Sequence, residues 1–126
     1  MKEFMLLIRN ESNSKSGFNT EKEESFLNSC KTYIEKLRVE GRLISAQPLI
    51  REGAMLSNTN GIWKENTFSE GEEVIVGYYH ILAKDLKEAI ETAKGNPEFE
   101  YTSTARVEIR PVKMKESGTG FIYPNK

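Results

Sequence analysis

The stretch VIVGYYHILAKDLKEAIETAKGNP, residues 74–97, decides the fold. Its first nine residues are dominated by β-branched and aromatic side chains, which fit a pleated, half-buried surface and predict a strand over 74–82. Asp85 then stands at a helix N-cap, with Glu88 three residues on at the reciprocal capping position. Leu86, Ala89, Ile90 and Ala93 share one helical stripe, and Gly95 and Pro97 end the helix. After a polar loop, ARVEIRPV at 105–112 alternates apolar and polar as a closing strand.

The first half of the chain repeats this plan. EFMLLIR at 3–9 is a short apolar run bounded by polar segments, a buried strand. A loop rich in Asn, Ser and Gly leads to Thr20, which has Glu23 at capping-box spacing. Phe26, Cys30, Tyr33, Ile34 and Leu37 then form one apolar helical stripe, which Gly41 is placed to end in a left-handed conformation. RLISAQ at 42–47 reads as a strand stopped by Pro48, and Asn60-Gly61 supplies the two positive-φ residues of a type I′ hairpin. The order β-α-β-(hairpin)-β-α-β is the split βαβ pattern of an α+β, ferredoxin-like fold: an antiparallel sheet with two helices on one face. Residues 1–113 are expected to form this domain. Residues 114–126 are expected to be a C-terminal tail, with Phe121 to Tyr123 as a short docking segment.

Composition narrows the function classes. The 126 residues carry 18 basic and 19 acidic side chains, a net charge of −1, and no basic stripe, so the electrostatic footprint of a nucleic-acid binder is missing. The single cysteine, Cys30, forms no intrachain disulfide and fits a reducing compartment. The apolar run Phe4 to Ile8 is far short of the roughly 20 residues that span a bilayer. A soluble, cytoplasmic protein without membrane or nucleic-acid partners is the expectation.

Period-2 alternation sorts the strands into two faces. Phe4, Leu6 and Ile8 share a parity, as do Val107 and Ile109, and as do Ile75, Tyr79 and Ile81 with Gly77 among them. These sets are expected against the helices. Val76, Tyr78, His80 and Leu82 hold the opposite parity in the central strand. The second face then gathers Arg9, His80, Arg106, Glu108 and Arg110 beside Met5, Leu7 and Tyr78. Apolar walls with a few convergent polar groups suit a lined cavity, and two such faces packed as a symmetric dimer would enclose a barrel.

These residues resemble the YCII-related, DGPF-domain family over roughly residues 2–113. The resemblance rests on KEFMLLI, Gly41 with Leu43, Gly61, Phe68-Ser69-Glu70, VGYYHI at 76–81, DLKEAIETA at 85–93, Asn96-Pro97 and VEIRPV at 107–112. The family's Asp-Gly-Pro-Phe-Ala-Glu-Thr motif aligns with residues 65–71, where only Phe68 and Glu70 are identical and Glu65 keeps a carboxylate in place of the aspartate. The resemblance implies a dimeric α/β barrel with a cleft between sheet and loops, and a polar pocket with a His/Asp proton-transfer pair in some relatives.

Among candidate site residues, His80 is the only histidine and so the only side chain whose unperturbed pKa lies near neutrality. As a catalytic base it needs an orienting partner, for which Glu108 is the candidate; a histidine satisfied inside a dimer interface is the structural alternative. Arg106 and Arg110 could grip a small anionic molecule in bidentate fashion, or form a charge ladder with Glu108 and Arg9. Tyr78, Phe68 and Glu70 complete the substrate-binding set, Glu70 lying in a Gly-containing loop. One His and one Cys make no metal cluster, no phosphate-binding loop is present, and no cofactor is expected. Cys30 reads as an inert core thiol and Trp63 as a packing or interface aromatic. Two functions stay open: a small-molecule-binding protein, including a cofactor-free proton-transfer enzyme, and a non-catalytic regulatory or interaction homodimer.

Overall fold

The computed structural model describes residues 1–124, so the last two residues of the expected tail lie outside the described part. Strand β1 (Lys2–Glu11) is followed by α1 (Thr20–Val39), β2 (Leu43–Pro48), β3 (Ala54–Thr59), β4 (Ile62–Thr67), β5 (Glu73–Ala83), α2 (Leu86–Lys94), α3 (Pro97–Tyr101) and β6 (Arg106–Pro111). The main sheet runs β2-β5-β1-β6 with every neighbour antiparallel, the strand arrangement of a ferredoxin-like α+β fold. β3 and β4 pair only with each other, through an Asn60-Gly61 turn with both φ angles positive (52° and 85°), as the hairpin reading required.

Helix termini follow local chemistry. Asn19, not Thr20, caps α1, its side chain accepting from the Lys22 N–H at 2.7 Å. Thr20 is the first helical residue, and Lys22, three residues after Asn19, supplies the free N–H that the cap satisfies. At the other end Gly41 takes φ +70°, while Gly41 N–H donates to Arg38 and Arg42 N–H to Leu37, the paired bonds of a Schellman stop. Asp85 caps α2 as expected, but Glu88 reaches the N–H of Lys84 rather than that of Asp85. Pro97 both stops α2 and opens α3, where a missing N–H costs nothing and Asn96 caps the turn by accepting from Glu98 N–H at 2.9 Å.

The core lies between the helices and one sheet face: Phe4, Leu6 and Ile8 of β1, Val74, Val76, Tyr79 and Ile81 of β5, with Leu37, Ala89 and Ala93 from the helices. Leu86 and Ile90 were expected there but stay 48% and 37% exposed, because α2 sits on the sheet through its two alanines. β5 changes parity part-way. Ile8 pairs with Gly77 and Arg9 with Ile75, so an extra residue bulges out of the ladder between them. Val76 therefore joins Tyr79 and Ile81 in the core, and Ile75 turns to the second face, the reverse of the simple alternation. Gly77 is required at this place: a Cβ there would stand 3.0 Å from the Gln47 carbonyl oxygen and 3.3 Å from Pro48 Cα.

A polar pin fastens the end of β1. Asn10 is fully buried, its Nδ2 donating to Glu98 Oε2 (2.7 Å) and Thr102 Oγ1 (2.8 Å), its Oδ1 accepting from Thr104 Oγ1 (2.6 Å). The segment after β6 folds back on itself through a Lys115–Ile122 bridge. Phe121 and Ile122 stay more than half exposed, so the expected docking segment does not dock on the domain.

Candidate functional site

The register of the sheet brings the second-face residues into rows. Across β5, β1 and β6 these are His80–Met5–Arg110, Tyr78–Leu7–Glu108 and Ile75–Arg9–Arg106, and at the β2 edge Ser45 stands beside His80. The predicted set of Arg9, Tyr78, His80, Arg106, Glu108 and Arg110 thus shares one face. Among the described residues no helix covers it.

His80 and Glu108 do not meet. They lie on strands separated by β1, about 10 Å apart across the ladder. The residue that holds His80 is Glu3, whose Oε1 lies 2.7 Å from His80 Nε2, with both side chains more than four-fifths buried. Glu3 sits diagonally across the β1–β5 pair, within reach of a long side chain. Glu108 instead accepts from Arg110 Nη1 (3.0 Å) and Arg9 Nε (3.0 Å). These two guanidiniums, Arg110 first, hold its carboxyl below the usual carboxylate range, so it is a fixed anion and not a proton carrier at neutral pH. Arg106 leans toward Glu73 at 3.5 Å.

The loop candidates lie apart from one another. Phe68 lines a groove of about 480 Å³ between the root of the hairpin and the end of the sheet, together with Arg9, Met55 and Ile75. Arg9 and Ile75 join this groove to the open face. Glu70 faces the neighbouring loop, accepting from Asn13 Nδ2 at 3.2 Å. Glu65 lies on the exposed hairpin opposite Leu56, and Trp63 is 66% exposed there.

Sequence reasoning missed a second site on the helix side of the sheet. A cavity of about 430 Å³ opens between α1 and the β2–β5 edge, walled by Ile8, Phe26, Ile34, Ala46, Val76 and Tyr79. Its polar end is built by Lys15, Arg51, Asn96 and Glu98, of which only Asn96 belonged to a motif of the resemblance and none was marked as a site residue. Lys15 Nζ pairs with Glu98 Oε1 and lies over the Phe26 ring, 4.2 Å from its centroid. Arg51 Nη1 is tied to the Glu11 carbonyl at 2.9 Å and to Ser14 Oγ. Asn96, only 3% exposed, uses its Oδ1 to cap α3, while its Nδ2 faces the Tyr33 and Tyr79 hydroxyls without making a hydrogen bond of good geometry among the described residues. The nearby Tyr33 and Tyr79 hydroxyls are held protonated by burial, Tyr33 up to about 12. Cys30 lines the cavity instead of the packed core, and burial and then the Glu98 charge push its thiol up to about 11. It stays a thiol, as an inert cysteine should.

With strand order, helix faces and both sites in view, a family model for the YCII-related domain matches residues 2–113. The chain belongs to the YCII-related domain family. The matched span begins with β1 and closes just beyond β6, taking in the open face, the groove and the cavity of this YCII-related domain, and it leaves the turn after residue 113 outside. No curated protein matches the sequence. Among the described residues no helix is long and apolar enough to cross a membrane.

Proposed function

We propose that this YCII-related domain binds a small molecule in the cavity beneath α1. The ligand is compact and largely apolar, and it carries one carbonyl or carboxylate oxygen. The observation that carries this reading is the cavity itself: about 430 Å³ with apolar walls, large enough for a ligand, and at its polar end the buried, weakly partnered Asn96 Nδ2. An acceptor oxygen on the ligand would satisfy it, while the apolar body replaces water along α1 and the sheet. The test is binding of benzoate and benzyl alcohol by calorimetry, with Cys30→Phe filling the cavity. Saturable binding to the parent protein and none to the filled variant is the expected result. Equal binding to both would remove the cavity as the site.

The open sheet face supports a second reading, carried by the His80–Glu3 pair. A general base oriented by a carboxylate, beside Tyr78 and the Arg9–Glu108–Arg110 ladder, suits cofactor-free proton transfer on a small anion once a second copy covers the face as a homodimer. The non-catalytic reading assigns the same residues to an interface alone. Sedimentation at micromolar concentration tests the dimer on which both rest, and a monomer would contradict them. If a turnover substrate is found, a Glu3→Gln variant with full activity would remove the carboxylate-oriented base from the mechanism.

A further inference from the structure

The polar end of the cavity holds an amine, an acid–base partner and a buried amide donor. Lys15 comes from the loop between β1 and α1 and crosses the Phe26 ring to reach Glu98; the two side chains are 24% and 8% exposed. Lys94 and Lys113, by contrast, stand 67% and 68% exposed in surface pairs. A desolvated lysine beside an apolar space, with a carboxylate in contact, is what imine formation with a carbonyl compound requires.

We propose that Lys15 captures small aldehydes or ketones in the cavity as a Schiff base. The inference rests on the cavity being a binding site and names the substrate class for it. Glu98 takes a proton from the Lys15 ammonium, freeing the nitrogen lone pair. That pair attacks the carbonyl carbon, the C–N bond forms, and the C=O π electrons move to oxygen. Asn96 Nδ2 is the donor available in the same cavity for this developing oxyanion. Glu98 returns its proton to the oxygen and removes one from nitrogen, giving a neutral carbinolamine. It then protonates the hydroxyl, the C–O bond breaks, and water leaves. A protonated imine stands opposite the Glu98 carboxylate, so the ion pair present at the start is present at the end. Amine and carbonyl have become imine and water with no change of oxidation state. Burial favours the free amine, lowering the Lys15 pKa against the opposing pull of Glu98.

The experiment uses the full chain with sub-stoichiometric benzaldehyde and sodium cyanoborohydride, which fixes any imine as a secondary amine. Peptide mass mapping follows labelling at each lysine. Benzyl alcohol, which cannot form an imine, reports cavity occupancy in parallel by calorimetry. Lys15 should label at least about tenfold faster than Lys94 or Lys113, the effect of a modest effective concentration in the cavity. Excess benzyl alcohol should suppress that excess rate, and Lys15→Arg should abolish the fast adduct while leaving the surface adducts. Benzyl alcohol bound in the cavity with Lys15 labelling no faster than Lys94 would overturn the imine and leave the binding site standing. If benzyl alcohol fails to bind and Lys15 shows no preference, both fall together.

Discussion

Replacing Asn10 by alanine should be among the most damaging single changes in the chain. The side chain is fully buried at the end of β1 and ties that strand to α3 and to the loop before β6. Besides a local bond from the Glu11 N–H, two of its bonds across the fold are to threonine hydroxyls and one is to a carboxylate, so with about 1 kcal/mol for each neutral bond and about 1.5–3 for the charged one, the long-range loss is about 3.5–5 kcal/mol. Glu98 would keep Lys15 but lose its other side-chain donor, which places the expected value in the upper part of that range. Against a total stability of about 5–15 kcal/mol for a domain, the variant should fold but with little reserve. Urea unfolding followed by far-ultraviolet circular dichroism measures this directly. With a slope of about 1–3 kcal/mol per molar urea, the midpoint should fall by roughly 2 M at unchanged slope. Arg38→Ala, which removes only an exposed i,i+3 pair, is the control and should leave the urea midpoint essentially unchanged. An Asn10→Ala loss under about 1 kcal/mol would refute the view that this network pins β1.

Gly77→Ala should destabilise by about 1–3 kcal/mol, because the new methyl presses on the backbone of Gln47 and Pro48 and not on a movable side chain; urea unfolding checks it. Alkaline pH should erode stability in a defined window. Cys30 and Tyr33 keep their protons in the folded state to about 11 and about 12 against ordinary values of 9.0 and 10.0, so the unfolded chain releases protons first and stability falls as pH rises from about 9 to about 12. Thermal unfolding across that range should show the decline, and a flat profile would contradict it. Iodoacetamide should alkylate native Cys30 at pH 8 much more slowly than the urea-unfolded chain, and equal rates would show an accessible thiolate.

How much of this was legible in the sequence depended on whether a residue's role is local. The succession of strands and of the two longer helices, the hairpin turn at Asn60-Gly61 and the glycine stop at Gly41 follow from patterns a few residues long. The second face was recovered because alternation holds along β1 and β6 and in β5 from Tyr78 onward, which assembled Arg9, Glu108, Arg110 and His80. It failed in β5, where one bulged residue exchanged Val76 and Ile75, and pairing His80 with Glu108 failed because β1 lies between them. Asn10 continues the parity of Phe4, Leu6 and Ile8, so extending that alternation one step would have marked a buried polar residue. Lys15, Asn96 and Glu98 offered no such signal. Lys15 lies in a polar loop and Asn96 and Glu98 bracket a helix-ending proline, and only the packing of α3 beneath that loop joins them.

The most direct measurement of the central claim is the side-chain amide resonance of Asn96 in a ¹⁵N nuclear magnetic resonance titration with benzoate. The account predicts a saturable downfield shift of the Asn96 Nδ2 protons as the ligand oxygen accepts their hydrogen bond, with smaller changes at Ala46 and Tyr79 along the cavity wall. Benzoate binding that leaves the Asn96 side chain unmoved and instead perturbs Met5, His80 and Arg110 would contradict it, and would place the ligand on the open sheet face.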